Sequence, residues 1–178
     1  MSSDPERFLL RTWQPEDCES LATHANNRNV WVNLRQRFPQ PFTLDDADRW
    51  VRRCGERDDD VQLAVVVDGE AVGGVSLKLE RRNPERIGEL GYWLGEPYWG
   101  RGIMTRAVEQ VSEVAFERHG FDQVQATVRA SNPASARVLE KAGFQVIAKL
   151  RPGGRRPVTR IPEFVYARRP ADRCGHTA

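Results

Sequence analysis

Glu96-Pro97-Tyr98-Trp99-Gly100-Arg101-Gly102-Ile103-Met104-Thr105 holds residue types that suit an anion. Glycines let bare backbone N–H groups approach a ligand, and the first N–H groups of a helix have no acceptor within it. The positive end of the helix dipole adds to their pull on negative charge. The Arg101 guanidinium and the Thr105 hydroxyl supply further donors, so phosphate is the natural guest. The dinucleotide pattern G-x-G-x-x-G needs Gly at 105, where Thr stands, and belongs to a first β-α unit rather than past mid-chain. The Gly-Lys-Ser/Thr of a P-loop is absent. On the residues alone, this is either a diphosphate cradle of unspecified type or a structural Gly-rich turn.

The flanking elements must position that turn. Phe8–Trp13 reads as a first strand, and Pro15-Glu16-Asp17 opens a helix with acidic residues at its positive end. Asn26-Asn27-Arg28-Asn29 breaks it, and a short apolar piece, Val30–Leu34, precedes a loop marked by Pro39 and Pro41. Thr43-Leu44-Asp45-Asp46 resembles a capping box and starts a helix that Asp58-Asp59-Asp60 ends. Gln62–Val67 and Glu70–Leu77 flank Asp68-Gly69, a tight-hairpin signal. Ile87–Leu94 is a strand entering the Gly-rich turn, and a helix over about 102–118 leaves it. Val124–Val128, a short helix over 134–141 capped by Gly143, and strands at 144–148 and 164–167 complete a β-α-α-β-β-β-α-β-α-β-β order. That order predicts a mixed α/β (α+β) domain over residues 1–170, with 171–178 as a flexible tail.

The 178 residues, 20.3 kDa, suit one domain able to bury its own core. Apolar runs stop far short of the ~18 residues a bilayer span needs. The polar, acidic start shows no signal peptide, so a cytoplasmic protein without membrane contact is expected. A formal charge of +2 does not argue for nucleic acid, which is not expected as a partner. Eight Lys/Arg against two Asp/Glu between Lys149 and Arg173 read as a solvated basic segment. Cys18, Cys54 and Cys174 share no metal spacing, and the odd count fits a reducing compartment; no metal is expected. His24, His119 and His176 form no pair and are expected on the surface.

Three blocks in register carry a family resemblance: Glu89–Leu94, Tyr98–Thr105, and Asn132-Pro133-Ala134-Ser135-Ala136-Arg137-Val138-Leu139-Glu140-Lys141-Ala142-Gly143-Phe144. The sequence resembles the GNAT superfamily of acyl-CoA-dependent N-acetyltransferases, most closely its RimJ/RimL-type branch. The resemblance implies a central, mostly antiparallel mixed sheet, splayed between its fourth and fifth strands and flanked by helices. It implies acetyl-CoA as cosubstrate. The pantetheine arm would meet the backbone of Tyr92, Trp93 and Leu94 like an added strand. The diphosphate would sit around Tyr98, Gly100, Arg101, Gly102, Ile103, Met104 and Thr105. Asn132 would lie beside the pantetheine and Ser135 near the sulfur. Two positions depart from the pattern. Pro97 stands where Gln or Arg is common, so one donor is lost. Leu139 stands where many members carry a tyrosine acid, which leaves Ser135, directly or through water, as the group that protonates the thiolate.

Acetyl transfer needs a neutral amine, and an α-amine of pKa ~8 or a lysine of ~10.4 is mostly protonated at pH 7. Glu89 is the candidate base, acting through water; a strand-edge ion pair is its plainer role. For Ser135 the plainer role is at a helix N-terminus capped by Asn132. Trp93 and Trp99 are expected to pack. The acceptor entrance is expected at Asn29–Phe38, where Trp31 and Phe38 would shape an apolar pocket and Arg35 or Arg37 would meet a carboxylate. The resemblance implies that the acceptor is a primary amine, either a protein N-terminal α-amine or a small molecule, attacked directly in a ternary complex. The competing functions are a non-catalytic CoA-binding sensor or scaffold and a ribosome- or RNA-associated binder. A homodimer is expected from the family.

Overall fold

Asp68 at φ 49° and Gly69 at φ 88° turn the chain between β2 (Asp60–Val67) and β3 (Glu70–Arg82). Positive φ at both central residues matches the strand twist and makes this the tight hairpin that Asp-Gly predicts. The computed structural model describes residues 7–34, 39–55, 60–82, 84–151 and 161–171. β1 (Leu9–Thr12) pairs antiparallel with β2. β4 (Glu85–Leu94) follows β3, and a short 3-10 turn (Glu96–Tyr98) leads to α4 (Ile103–His119). β5 (Gln123–Arg129), α5 (Pro133–Lys141), β6 (Gln145–Leu150) and β7 (Glu163–Arg168) complete the order. The seven strands form one sheet, β1-β2-β3-β4-β5-β7-β6, antiparallel except for the parallel β4–β5 pair. Among the described residues, no helix is long and apolar enough to cross a membrane.

The parallel pairing is short. Ile87, Gly88 and Glu89 match Gln123, Val124 and Gln125, and the register ends there while β4 runs on to Leu94. β5 keeps its other neighbour throughout, pairing with β7 from Val124 to Arg129. Parallel strands whose ladder stops early leave backbone groups for another partner.

The chain divides into two compact units: residues 1–78 with 91–107, and 79–90 with 108–178. In the first, α1 (Cys18–Ala25) and α3 (Leu44–Gly55) bury Leu21, Ala22, Ala25, Ala47 and Val51 in one cluster with Trp13, Ala64, Val66 and Trp93. Trp13 stacks on Trp93 with ring centres 6.4 Å apart and meets Trp50 edge-on at 4.9 Å. Asp17, nearly buried ahead of α1, takes both Arg11 guanidinium nitrogens at 2.7 and 2.8 Å and the Gln14 N–H at 2.9 Å. In the second unit, β5 buries Val124, Ala126 and Val128 on one face, as a two-residue period requires, and Val108, Val111, Ala115 and Phe116 of α4 are buried at helical spacing.

Three boundaries differ from expectation. Asn26–Asn29 does not merely break a helix: the Asn27 side chain accepts the Asn29 N–H at 2.8 Å and starts a short α2 (Arg28–Trp31). The helix begun at Thr43, with Asp46 closing the cap through the Thr43 N–H at 2.9 Å, ends at Gly55, and Asp60 already belongs to β2. β3 runs five residues past Leu77.

β3 and β4 approach closely because residue 73 is glycine. A Cβ there would stand 2.5 Å from the Trp93 carbonyl oxygen and 2.9 Å from Leu94 Cδ1. Gly73→Ala is expected to lower unfolding free energy by about 1–3 kcal/mol, the usual cost of overpacking; a lower urea midpoint at unchanged m value is the readout. Asp17 offers a pH test. Burial opposes its charge, but the Arg11 and Gln14 hydrogen bonds outweigh that and hold its carboxyl below the ordinary carboxylate value. Its stabilisation is present above the unfolded value near ~3.9 and is lost as pH falls through the lower folded value. Asp17→Asn is expected to cost about 1–3 kcal/mol at pH 7, with the gap to the parent closing below about pH 4.

Candidate functional site

β4 ends in a turn whose backbone is left open. Gly100 and Gly102 adopt φ 77° and 74°, where an L side chain is strained, and a Cβ at either would meet no atom within 4 Å. The first backbone bond of α4 runs from the Arg106 N–H to the Gly102 carbonyl at 3.2 Å. The N–H groups of Ile103, Met104 and Thr105 therefore precede the intrahelical ladder. Ile103 and Met104 bury their side chains at 0% and 5% exposure, so only their backbone can face a ligand. Arg101 is exposed, and its guanidinium lies 5.1 Å from the centre of the Tyr98 ring. Left-handed glycines, leading N–H groups and a nearby cation fit a diphosphate.

The strand before the turn is partly committed. The Leu94 carbonyl accepts the Trp99 indole N–H at 2.7 Å, leaving one lone pair for another donor. Trp99 is 43% exposed, so it straps the turn rather than packing in the core as expected. Trp93 does pack, at 9% exposure. The Gly95 N–H donates to the Val72 carbonyl at 2.7 Å.

A polar cluster that sequence alone did not reveal backs the turn. His24 is buried, at 9% exposure, which corrects its expected surface position. Its Nε2 donates to Glu70 Oε1 at 2.9 Å, and its ring meets that of Tyr98 edge-on at 5.8 Å. The Tyr98 hydroxyl donates to Glu70 Oε2 at 3.4 Å. Partial burial, and then the Glu70 carboxylate, raise the Tyr98 phenol above its ordinary value, so it stays protonated. The Glu96 carboxylate receives the side-chain N–H groups of Asn27 at 2.7 Å and Asn29 at 2.8 Å. No spacing motif joins positions 24, 27, 29, 70 and 96; their contact exists only in the fold.

The second unit carries Glu89, Asn132 and Ser135. Glu89 is half-buried on β4 opposite Gln125. Asn132 caps α5, accepting the Ser135 N–H at 3.1 Å, so the plainer role for this pair is present in the structure. Ser135 is half-buried in the first turn of α5. Of the expected acceptor residues, Trp31 is half-buried at the end of α2. Arg35, Arg37 and Phe38 lie outside the described residues, as does His176.

A family model described as an acetyltransferase (GNAT) domain matches residues 7–145. The chain belongs to the GNAT acetyltransferases, in the RimJ/RimL-type branch, and is an acetyl-CoA-dependent N-acetyltransferase. It is 36% identical over 132 residues to the probable N-acetyltransferase YjcK of Bacillus subtilis, covering 71% of this chain and 73% of that one. It is 26% identical over 155 residues to the putative ribosomal N-acetyltransferase YdaF of the same organism, covering 83% of each. RimJ of Mycobacterium smegmatis, solved in complex with CoA-disulfide, shares the fold at a TM-score of 0.82 and 18% identity, over 93% of this chain and 83% of that one.

Gly102→Ala separates the two roles of the turn. The new Cβ meets nothing, so the stability cost is the left-handed conformation alone, about 1 kcal/mol. Calorimetric affinity for CoA is expected to fall by about tenfold or more, because the Cβ enters the space offered to the diphosphate.

Proposed function

We propose that this chain acetylates a primary amine by direct attack within a ternary complex, with CoA held along the end of β4 and on the turn before α4. The observation that carries the reading is the open, left-handed backbone at Gly100 and Gly102 beside the leading N–H groups of α4. Tyr92, Trp93 and Leu94 offer backbone to the pantetheine, and Tyr98, Arg101 and the backbone of residues 100–105 hold the diphosphate. Asn132 borders the pantetheine. Bound acetyl-CoA supplies a thioester carbon to which the amine nitrogen bonds as the C–S bond breaks. Glu89 accepts the proton that the ammonium must lose, through one water. Ser135, directly or through water, delivers a proton to the departing thiolate, because Leu139 has none to give. Trp31, with Arg35 and Phe38, borders the acceptor.

The acceptor class is proposed from similarity. YdaF is named a putative ribosomal N-acetyltransferase, which favours a protein N-terminal α-amine for this chain over a small molecule. A homodimer through the β6 edge belongs to the same proposal: this terminal strand leaves Val146, Ile147 and Leu150 51%, 54% and 45% exposed.

The first test is thermal unfolding with acetyl-CoA, with NADH and ATP as controls. Ligand at about 100 times its dissociation constant adds about 2.7 kcal/mol, or roughly 5–10 °C for a chain of this length. A shift with acetyl-CoA alone is expected, followed by thiol release with an N-terminal peptide; a shift without turnover on any amine points to a sensor. Glu89→Gln is then expected to lower kcat by about 10²- to 10⁴-fold and to alter the pH–rate profile. An unchanged rate and profile would assign the base elsewhere.

A further inference from the structure

The two ends of the expected reaction chamber share one carboxylate. Glu96 opens the 3-10 turn that leads to Gly100 and Gly102, yet both of its oxygens are taken from the other direction. Oε2 accepts from Asn27, which caps α2, and Oε1 accepts from Asn29 within α2. Asn27 and Asn29 are also joined to each other: the Asn29 backbone N–H donates to the Asn27 side-chain Oδ1 at 2.8 Å. The Glu96 carboxylate, the two asparagine side chains and the Asn29 backbone N–H form a closed triangle of hydrogen bonds, with Trp31 one short step further along α2. Charge-assisted bonds of this length are the stronger kind, and a triangle leaves each member little freedom.

A carboxylate beside a diphosphate site is electrostatically adverse, so its presence needs a role that outweighs the repulsion. We propose that Glu96, clasped by Asn27 and Asn29, is a positioning residue for the cofactor turn, and that it joins the acceptor-side segment α2 to that turn. This rests on the reading of the turn as the CoA cradle. Through the clasp, α2 cannot shift without moving the start of the turn, so the two binding surfaces are set together. His24 supports the same link from α1: a Cβ on Gly95 would stand 2.6 Å from its Nδ1, so the turn is seated against that ring.

The test is CoA binding to the full chain by calorimetry, with unfolding temperature measured alongside. Glu96→Gln and the exposed Asn29→Ala are each expected to weaken CoA by about three- to tenfold. Pure electrostatics predicts the opposite sign for Glu96→Gln, because removing a negative charge favours an anion. The decisive variant combines Asn29→Asp with Glu96→Gln. It reverses donor and acceptor while keeping net charge, and is expected to return affinity to within about twofold of the parent. Tighter or unchanged binding in both single variants overturns the proposal, as does failure of the exchange to restore it. If the parent chain itself does not bind CoA, the cradle reading falls and the clasp falls with it; if the parent binds and the variants bind equally, only the clasp falls.

Discussion

The absence of a side chain at residue 95 governs the first unit. A Cβ there would stand 2.6 Å from His24 Nδ1 and 3.1 Å from the Val72 carbonyl oxygen. That seat fixes where β4 stops and where the 3-10 turn starts. The Gly95 carbonyl then takes the Tyr98 N–H at 3.0 Å and the Glu96 carbonyl takes the Trp99 N–H at 3.1 Å. With those bonds closed, the chain reaches Gly100 with little remaining freedom, and the two left-handed glycines deliver it to the start of α4. A ligand that binds bare backbone needs such rigidity, because a mobile loop would lose entropy on binding.

The charges around the turn follow one arrangement. Glu70 and Glu96 both stand close to a place suited to an anion, and each is held by donors: His24 and Tyr98 for one, Asn27 and Asn29 for the other. Hydrogen bonds to a carboxylate disperse its charge and fix its direction. Arg101 is exposed, with its guanidinium 5.1 Å from the centre of the Tyr98 ring. Both acidic groups are thereby braced by side chains of the same unit.

Local chemistry made much of the fold readable. Asp68-Gly69 specified its hairpin, Thr43 and Asp46 their cap, Gly143 its left-handed stop, and the period of two in Val124–Val128 a strand with one buried face. The glycine turn before α4 was readable because glycine at positive φ and a helix start carry local signals that do not depend on distant partners. Contacts distant in sequence were not. Asn26 resembles a helix breaker, yet its side chain takes the Phe42 N–H at 2.8 Å and donates to the Phe42 carbonyl, tying together chain sixteen residues apart. Asn27 and Asn29 look equally like breakers, and their carboxylate partner lies 67 to 69 residues away. A lone histidine at 24 carries no sign of burial, because its partner Glu70 stands across the hairpin signal and is itself an ordinary surface residue type.

Pro97 shapes the approach to the glycine turn. It stands where relatives of this superfamily commonly place Gln or Arg, and proline has neither a side-chain donor nor a backbone N–H. Here it sits exposed inside the 3-10 turn, at a position where proline's fixed φ suits the first turn of a helix. The residue after it, Tyr98, is the one that reaches Glu70 and carries Arg101 on its face. Proline removes conformations from the unfolded loop that folding would otherwise have to suppress. A side-chain donor is thus exchanged for a prearranged backbone, whose direction is set by φ and ψ alone.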